Sequence, residues 1–181
     1  MEGGIKAWNG IVAKGAPQAG MAYFDPAKKP EELIALAWML EDGSGQFYAA
    51  TAAMLQDRET VNFLQKLAAD EEGHKTSLFN LYRELSDLKP DPGFPGSLIP
   101  MDPGIKYMEG GVPLKEALEW VKGKDLKEIL EFAISLEINS EDLYIKMERQ
   151  VKSKEAKQVF KLLFVQEKHH LERLIRLSEK K

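Results

Sequence analysis

Four glutamates with side chains fit for metal or proton chemistry would mean little alone, but here such residues recur in register. Glu41, Tyr48, Glu71 and His74 reappear as Glu137, Tyr144, Glu167 and His170, each displaced by 96 positions with no insertion between them. Glu71 and His74 are three apart, as are Glu167 and His170, and on a helix residues three apart share a face. Two Glu-x-x-His pairs, plus one glutamate from each of two further helices, make a box of six ligands able to hold two metal ions inside a helical bundle. Four carboxylates neutralise two divalent cations, and carboxylate with imidazole suits iron or manganese better than copper. A single Glu-x-x-His is a weak motif. Two of them at equal offset from two Glu–Tyr pairs are not an accident of composition.

Composition narrows the chemistry further. The chain has 181 residues, 44% hydrophobic and 30% charged, which is enough for one domain with a real core. There is no cysteine, so thiol nucleophiles, thiolate-held zinc and iron–sulfur centres are excluded from this chain, and His74, His169 and His170 are its only imidazoles. A net charge of −4 without a clustered basic face speaks against nucleic acid as a partner. No apolar run spans a bilayer and no basic-then-apolar leader opens the sequence, so the expectation is no membrane and a cytoplasmic address.

The box requires four long helices. One should begin at Pro30, tolerated in a first turn, and run to about residue 56 with Leu33, Leu36, Leu40, Ser44, Phe47 and Tyr48 on its inner stripe. Asp42-Gly43-Ser44-Gly45 would ordinarily signal a turn. Its repeat mate, Ile138-Asn139-Ser140-Glu141, lies in strongly helical sequence, so the helix is read as continuous, with a packing or access reason for its glycines. Asp57 caps a second helix reaching about Leu85. Residues 86–124 are dense in proline and glycine, with a short amphipathic helix at 113–121; a connection this long lets the chain cross the length of a bundle. Asp125 and Glu128 form a capping box for the third helix, and Ser153 caps the fourth. Residues 1–29, rich in Gly, Ala and Pro, read as an arm, and residues 30–181 as the bundle. The tetrapeptide Met-Glu-Gly-Gly at 1–4 recurs at 108–111, which is read as coincidence.

At this point the chain resembles a family. Glu41, Glu71/His74, Glu137 and Glu167/His170 on four helices are similar to the ligand set of ferritin-like, rubrerythrin-type di-iron proteins, over roughly residues 30–179. The resemblance implies an all-α, ferritin-like four-helix bundle of two pseudo-symmetric hairpins joined by a long crossover. It also implies two iron ions, with manganese or zinc as substitutes in purified material. Glu41 and His74 would cap one ion, Glu137 and His170 the other, with Glu71 and Glu167 bridging. Gly3-Gly4-Ile5-Lys6-Ala7-Trp8 resembles the closing segment of a rhodanese domain, whose catalytic cysteine loop is missing here. Rubrerythrins carry an extra carboxylate three residues beyond the third-helix ligand. Here that position is Ser140, so Glu141, whose repeat mate is Gly45, is the candidate for a seventh, mobile ligand. Tyr48 and Tyr144, two turns from their glutamates, are expected to hydrogen-bond ligand carboxylates. Glu72 and His169 point away from the stripe and read as surface residues.

The function so implied is reduction of hydrogen peroxide by a di-iron site. Electrons would come from an external, rubredoxin-type donor, because the four-cysteine centre of rubrerythrins proper is absent. A homodimer is implied by the same resemblance. The alternative is a ferroxidase that uses dioxygen and passes iron onward. A hydroxylase would need a substrate channel that the sequence does not show. A metal-free interaction bundle would leave six ionisable groups buried without partners.

Overall fold

The computed structural model describes residues 29–86, 91–99 and 104–180. Four long helices carry the expected stripes: α1 Pro30–Met54, α2 Arg58–Leu85, then, after the crossover and the short α3 Leu114–Val121, α4 Leu126–Gln150 and α5 Lys154–Ser178. A single 3-10 turn, Glu109–Gly111, interrupts the crossover. No strand occurs among the described residues, where the only pairing of that kind is an isolated bridge from Tyr107 to Pro113. No helix of the described chain is long and apolar enough to cross a membrane. The segment read as an arm, residues 1–29, lies outside the described residues except for Lys29.

Each helix starts where its local chemistry dictates. Pro30 takes the first position of α1, and the Lys29 amide donates to Glu32 Oε2 at 2.8 Å. Asp57 accepts from the Thr60 amide at 3.0 Å, satisfying one of the donors that a helix start leaves open. Asp125 and Glu128 close a reciprocal box at 2.8 and 3.1 Å, and the Ser153 hydroxyl accepts from the Ala156 amide at 3.1 Å. Helix α1 packs on α2 and α4 on α5, giving two hairpins whose second helices also meet.

The apolar core is divided in two. One cluster takes Ile34, Leu36 and Leu40 from α1, Leu78 and Leu81 from α2, Leu143 and Met147 from α4, and Phe160 and Leu163 from α5. The other takes Phe47 from α1, Leu64 and Leu67 from α2, Phe132, Ala133 and Leu136 from α4, and Leu174 and Leu177 from α5. On every helix the residues of the proposed box fall between these two sets. A polar layer is thus clamped between apolar ends, each buried Leu or Phe contributing about 1.5–3 kcal/mol.

Helix α1 runs unbroken through Asp42-Gly43-Ser44-Gly45, and both glycines have a packing reason. A Cβ on Gly43 would lie 2.1 Å from the Tyr107 carbonyl oxygen of the crossover, and one on Gly45 would meet the Glu71 Cβ at 3.2 Å.

Candidate metal centre

All six residues of the repeated pattern converge. Glu41, Glu71, Glu137 and Glu167 are at most 1% exposed, His74 is 2% and His170 is 4% exposed. Two groups form, in each of which the ligand atoms lie within 4.8 Å of one another: Glu41, Glu71, His74 and Glu167, and Glu71, Glu137, Glu167 and His170. Glu71 and Glu167 belong to both groups, whereas each of the other four belongs to one. His74 turns Nδ1 inward, 2.9 Å from Glu71 Oε2, 2.9 Å from Glu167 Oε1 and 3.1 Å from Glu41 Oε2. His170 Nδ1 faces Glu167 Oε2 at 3.4 Å and Glu137 Oε2 at 3.5 Å. The two imidazoles stack with centroids 5.5 Å apart.

Burial of this much charge dominates the electrostatics. Desolvation pushes Glu41 and Glu71 well above the carboxylate range, helped by Glu109 in the first case and by Glu41 in the second. Glu137 is raised to about 8 by burial and then by the Glu167 charge. Both histidines are raised to about 11: burial opposes the shift, but hydrogen bonds to Glu167 and Glu71 at His74, and to Glu137 and Glu167 at His170, outweigh it. Glu167 moves the other way. Burial would raise it, yet the hydrogen bonds from His170 and His74 hold it below the usual range. Such a layer keeps protons where cations would otherwise stand.

The residues present fit a pair of cations. Beyond the histidine contacts, Glu41 Oε1, Glu71 Oε1 and His74 Nε2 are buried without a hydrogen-bond partner among the described residues. Leaving so many polar atoms dry and unpaired is costly, and divalent ions on oxygen and nitrogen ligands would satisfy them.

Around the box the two halves differ. The Tyr48 hydroxyl donates to Glu137 Oε1 at 2.5 Å, reaching across to the opposite hairpin. The same role was expected of Tyr144, but its hydroxyl is buried without a partner among the described residues, and so is the nearest analogue of its acceptor, Glu41 Oε1. Glu41 is drawn instead toward Glu71 and His74. Glu141 is half-buried and belongs to neither convergent group. Glu72 and His169 are exposed, as expected, and Glu72 pairs with Lys75 at 2.8 Å.

Two further carboxylates near the box were not foreseen, and neither belongs to its two convergent groups. Asp70 Oδ2 lies 3.3 Å from His170 Nε2, the ring nitrogen that points away from the box. Glu109, in the recurrent Met-Glu-Gly-Gly of the crossover, is 1% exposed. Its Oε2 accepts a short hydrogen bond from the Ser44 hydroxyl, and its amide donates to Ser44 Oγ at 3.3 Å. Burial, then the Glu167 charge, raises its carboxyl to about 7. The signal that could have found it is the pair of glycines behind it: Gly110 and Gly111 both have positive φ, +76° and +71°, and turn the chain sharply enough to push Glu109 inward.

Comparison with known proteins bears on the fold and on the second half of the chain. The family model described as Rubrerythrin matches residues 112–181, which carry Glu137, Glu167 and His170. A solved structure of a hypothetical protein from Pyrococcus furiosus is similar in fold, with a TM-score of 0.62 and 22% identity over 83% of this chain and 89% of that one. No curated protein matches the chain. The rhodanese-like reading of the N-terminal segment gains no support from these likenesses.

Proposed function

We propose that the box holds two iron ions and that the protein is a di-iron oxidoreductase reducing hydrogen peroxide. The observation that carries this reading is the sharing of Glu71 and Glu167 by two four-residue groups, each completed by its own glutamate and histidine. Glu41 and His74 would hold one ion, Glu137 and His170 the other, and Glu71 and Glu167 would contact both. Bound there as a ferrous pair, the metal would supply the two electrons that, with two protons, reduce one peroxide molecule to two waters. The chain's own part is to fix the ligands and keep the layer dry between its two apolar clusters. Tyr48 orients Glu137 through its hydrogen bond. Without cysteine the chain holds no thiolate-ligated iron centre such as that of rubrerythrins proper. We therefore assign re-reduction to a separate donor such as a rubredoxin-type protein, acting on a cytoplasmic homodimer.

Stopped-flow oxidation of the anaerobically iron-loaded protein tests the proposal. Two irons per chain, oxidised far faster by peroxide than by dioxygen, are expected. Faster oxidation by dioxygen, with iron then leaving the site, would replace the peroxidase with a ferroxidase. Failure to bind two ions would remove the di-metal reading altogether.

A further inference from the structure

We propose that Glu109 is a fifth carboxylate of this centre, carried in by the crossover and seated between its two halves. The proposal rests on the two-metal reading of the box and adds to it a residue from outside the four long helices.

The placement follows the internal repeat. Gly43 and Ser44 of α1 correspond, at the same offset of 96, to Asn139 and Ser140 of α4. The crossover rests on both pairs. The Tyr107 carbonyl lies against Gly43, and a Cβ on Gly110 would meet Asn139 Nδ2 at 2.6 Å. Between these two contacts Glu109 takes its hydrogen bond from Ser44, and the matching Ser140 is the second hydroxyl acting on the same carboxylate. Ser140 has one proton to divide between that carboxylate and the Leu136 carbonyl at 3.2 Å, so Ser44 is the firmer anchor. Each serine lies one helical turn beyond a ligand, Glu41 or Glu137, on the same face. A carboxylate that Ser44 holds and Ser140 acts on therefore lies beside the ligand-bearing turns of both α1 and α4.

The carboxylate is also half free. Oε2 is anchored, whereas Oε1 is buried without a hydrogen-bond partner among the described residues. The field of Glu109 acts on Glu41, and that of Glu167 and His74 on Glu109, so the group is electrically part of the box. A buried oxygen with no partner is costly in a purely structural clasp. It has a use if a cation is its partner. Charge is consistent with that use, since five carboxylates exceed two divalent ions by one negative charge, whereas two trivalent ions would exceed five carboxylates by one positive charge. The loop is held for this task by the Met108 amide on the Val112 carbonyl at 2.9 Å and by Lys106 on Asp42 at 3.2 Å.

The test uses the full chain, stripped of metal and titrated with cobalt(II) under equilibrium dialysis, with hydrogen–deuterium exchange read over residues 104–112. The wild type is expected to bind two ions and to slow exchange in this loop when they bind. Glu109→Gln keeps the size and an oxygen for Ser44 but removes the anion. It should weaken at least one ion by about tenfold or more and lose the metal-dependent protection. Ser44→Ala keeps the charge and removes its anchor; it should reduce the protection, and it carries the test if Glu109→Gln does not fold. Two ions bound with wild-type affinity and wild-type protection in the variants would overturn the role of Glu109 and leave the two-metal reading standing. A wild type that binds no ions would overturn both.

Discussion

Asp70 and Tyr48 make the two halves of the box unequal, although its six residues obey the repeat. The counterpart of Asp70 is Gln166, which has no charge to offer His74, and His74 Nε2 is left buried without a partner among the described residues. Only His170 has a carboxylate behind its ring. Such a partner fixes the imidazole and raises its basicity, and losing one costs about 10–100-fold in metal affinity. Asp70→Asn should therefore weaken one of two stepwise cobalt binding constants by that factor and spare the other, as read by optical titration. Tyr48 and Tyr144 should separate in the same way. Tyr48→Phe strips a buried carboxylate of its donor and should cost about 1–3 kcal/mol in the metal-free protein by denaturant melts, whereas Tyr144→Phe should be close to neutral. The six converging residues were legible from the sequence because spacing along one helix decides which face a side chain takes. Asp70 and Glu109 were not. Asp70 acts across a gap between helices, and Glu109 arrives on a loop that has no period to read.

At the scale of elements, helix starts, stripes and the unbroken course of α1 follow from caps and periodicity, which is why they could be read in advance. The crossover is different. Its path depends on what the helices leave open, and Gly43 is the clearest case. In an exposed helix Gly→Ala gains up to about 1 kcal/mol. Gly73 on α2 meets nothing within 4 Å of an added Cβ, so Gly73→Ala should raise the melting temperature. Gly43→Ala should lower it, because backbone 2.1 Å away cannot yield as a flexible side chain would; overpacking of this kind costs about 1–3 kcal/mol and exceeds the gain in propensity. Exchange in residues 104–112 should rise in Gly43→Ala alone, since the carbonyl that must shift belongs to Tyr107. Equal melting temperatures for the two variants would mean that the crossover does not lean on α1.

For the whole molecule, the buried layer ties stability to protons and to metal with opposite signs. Glu109 and Glu137 are raised to about 7 and about 8 in the metal-free fold, each mainly by burial and next by the charge of Glu167. Their folded values exceed their unfolded ones, so the folded state holds the extra protons. The stability they contribute is fully present below the ordinary carboxylate range and is lost as pH rises through the folded values. His74 and His170, raised to about 11 by their carboxylate partners against the effect of burial, work in the same direction from the ordinary imidazole range upward. Glu167 is lowered, by hydrogen bonds from the two histidines that overcome burial, and its contribution is lost only as pH falls below the ordinary carboxylate range. Between about pH 5 and about pH 8 these four groups, together with Glu41 and Glu71, which burial raises in the same direction, set the slope, and the metal-free melting temperature should fall with rising pH. Cations need the same ligands deprotonated, so they displace these protons and bind more tightly as pH rises. Calorimetry with a fixed excess of cobalt(II) should then show a stabilising increment that grows across the window, following the logarithm of ligand concentration over dissociation constant. A metal-free melting temperature that rose over this range would mean that the layer is not proton-loaded. An increment independent of pH would mean that the metal binds elsewhere than on these buried ligands.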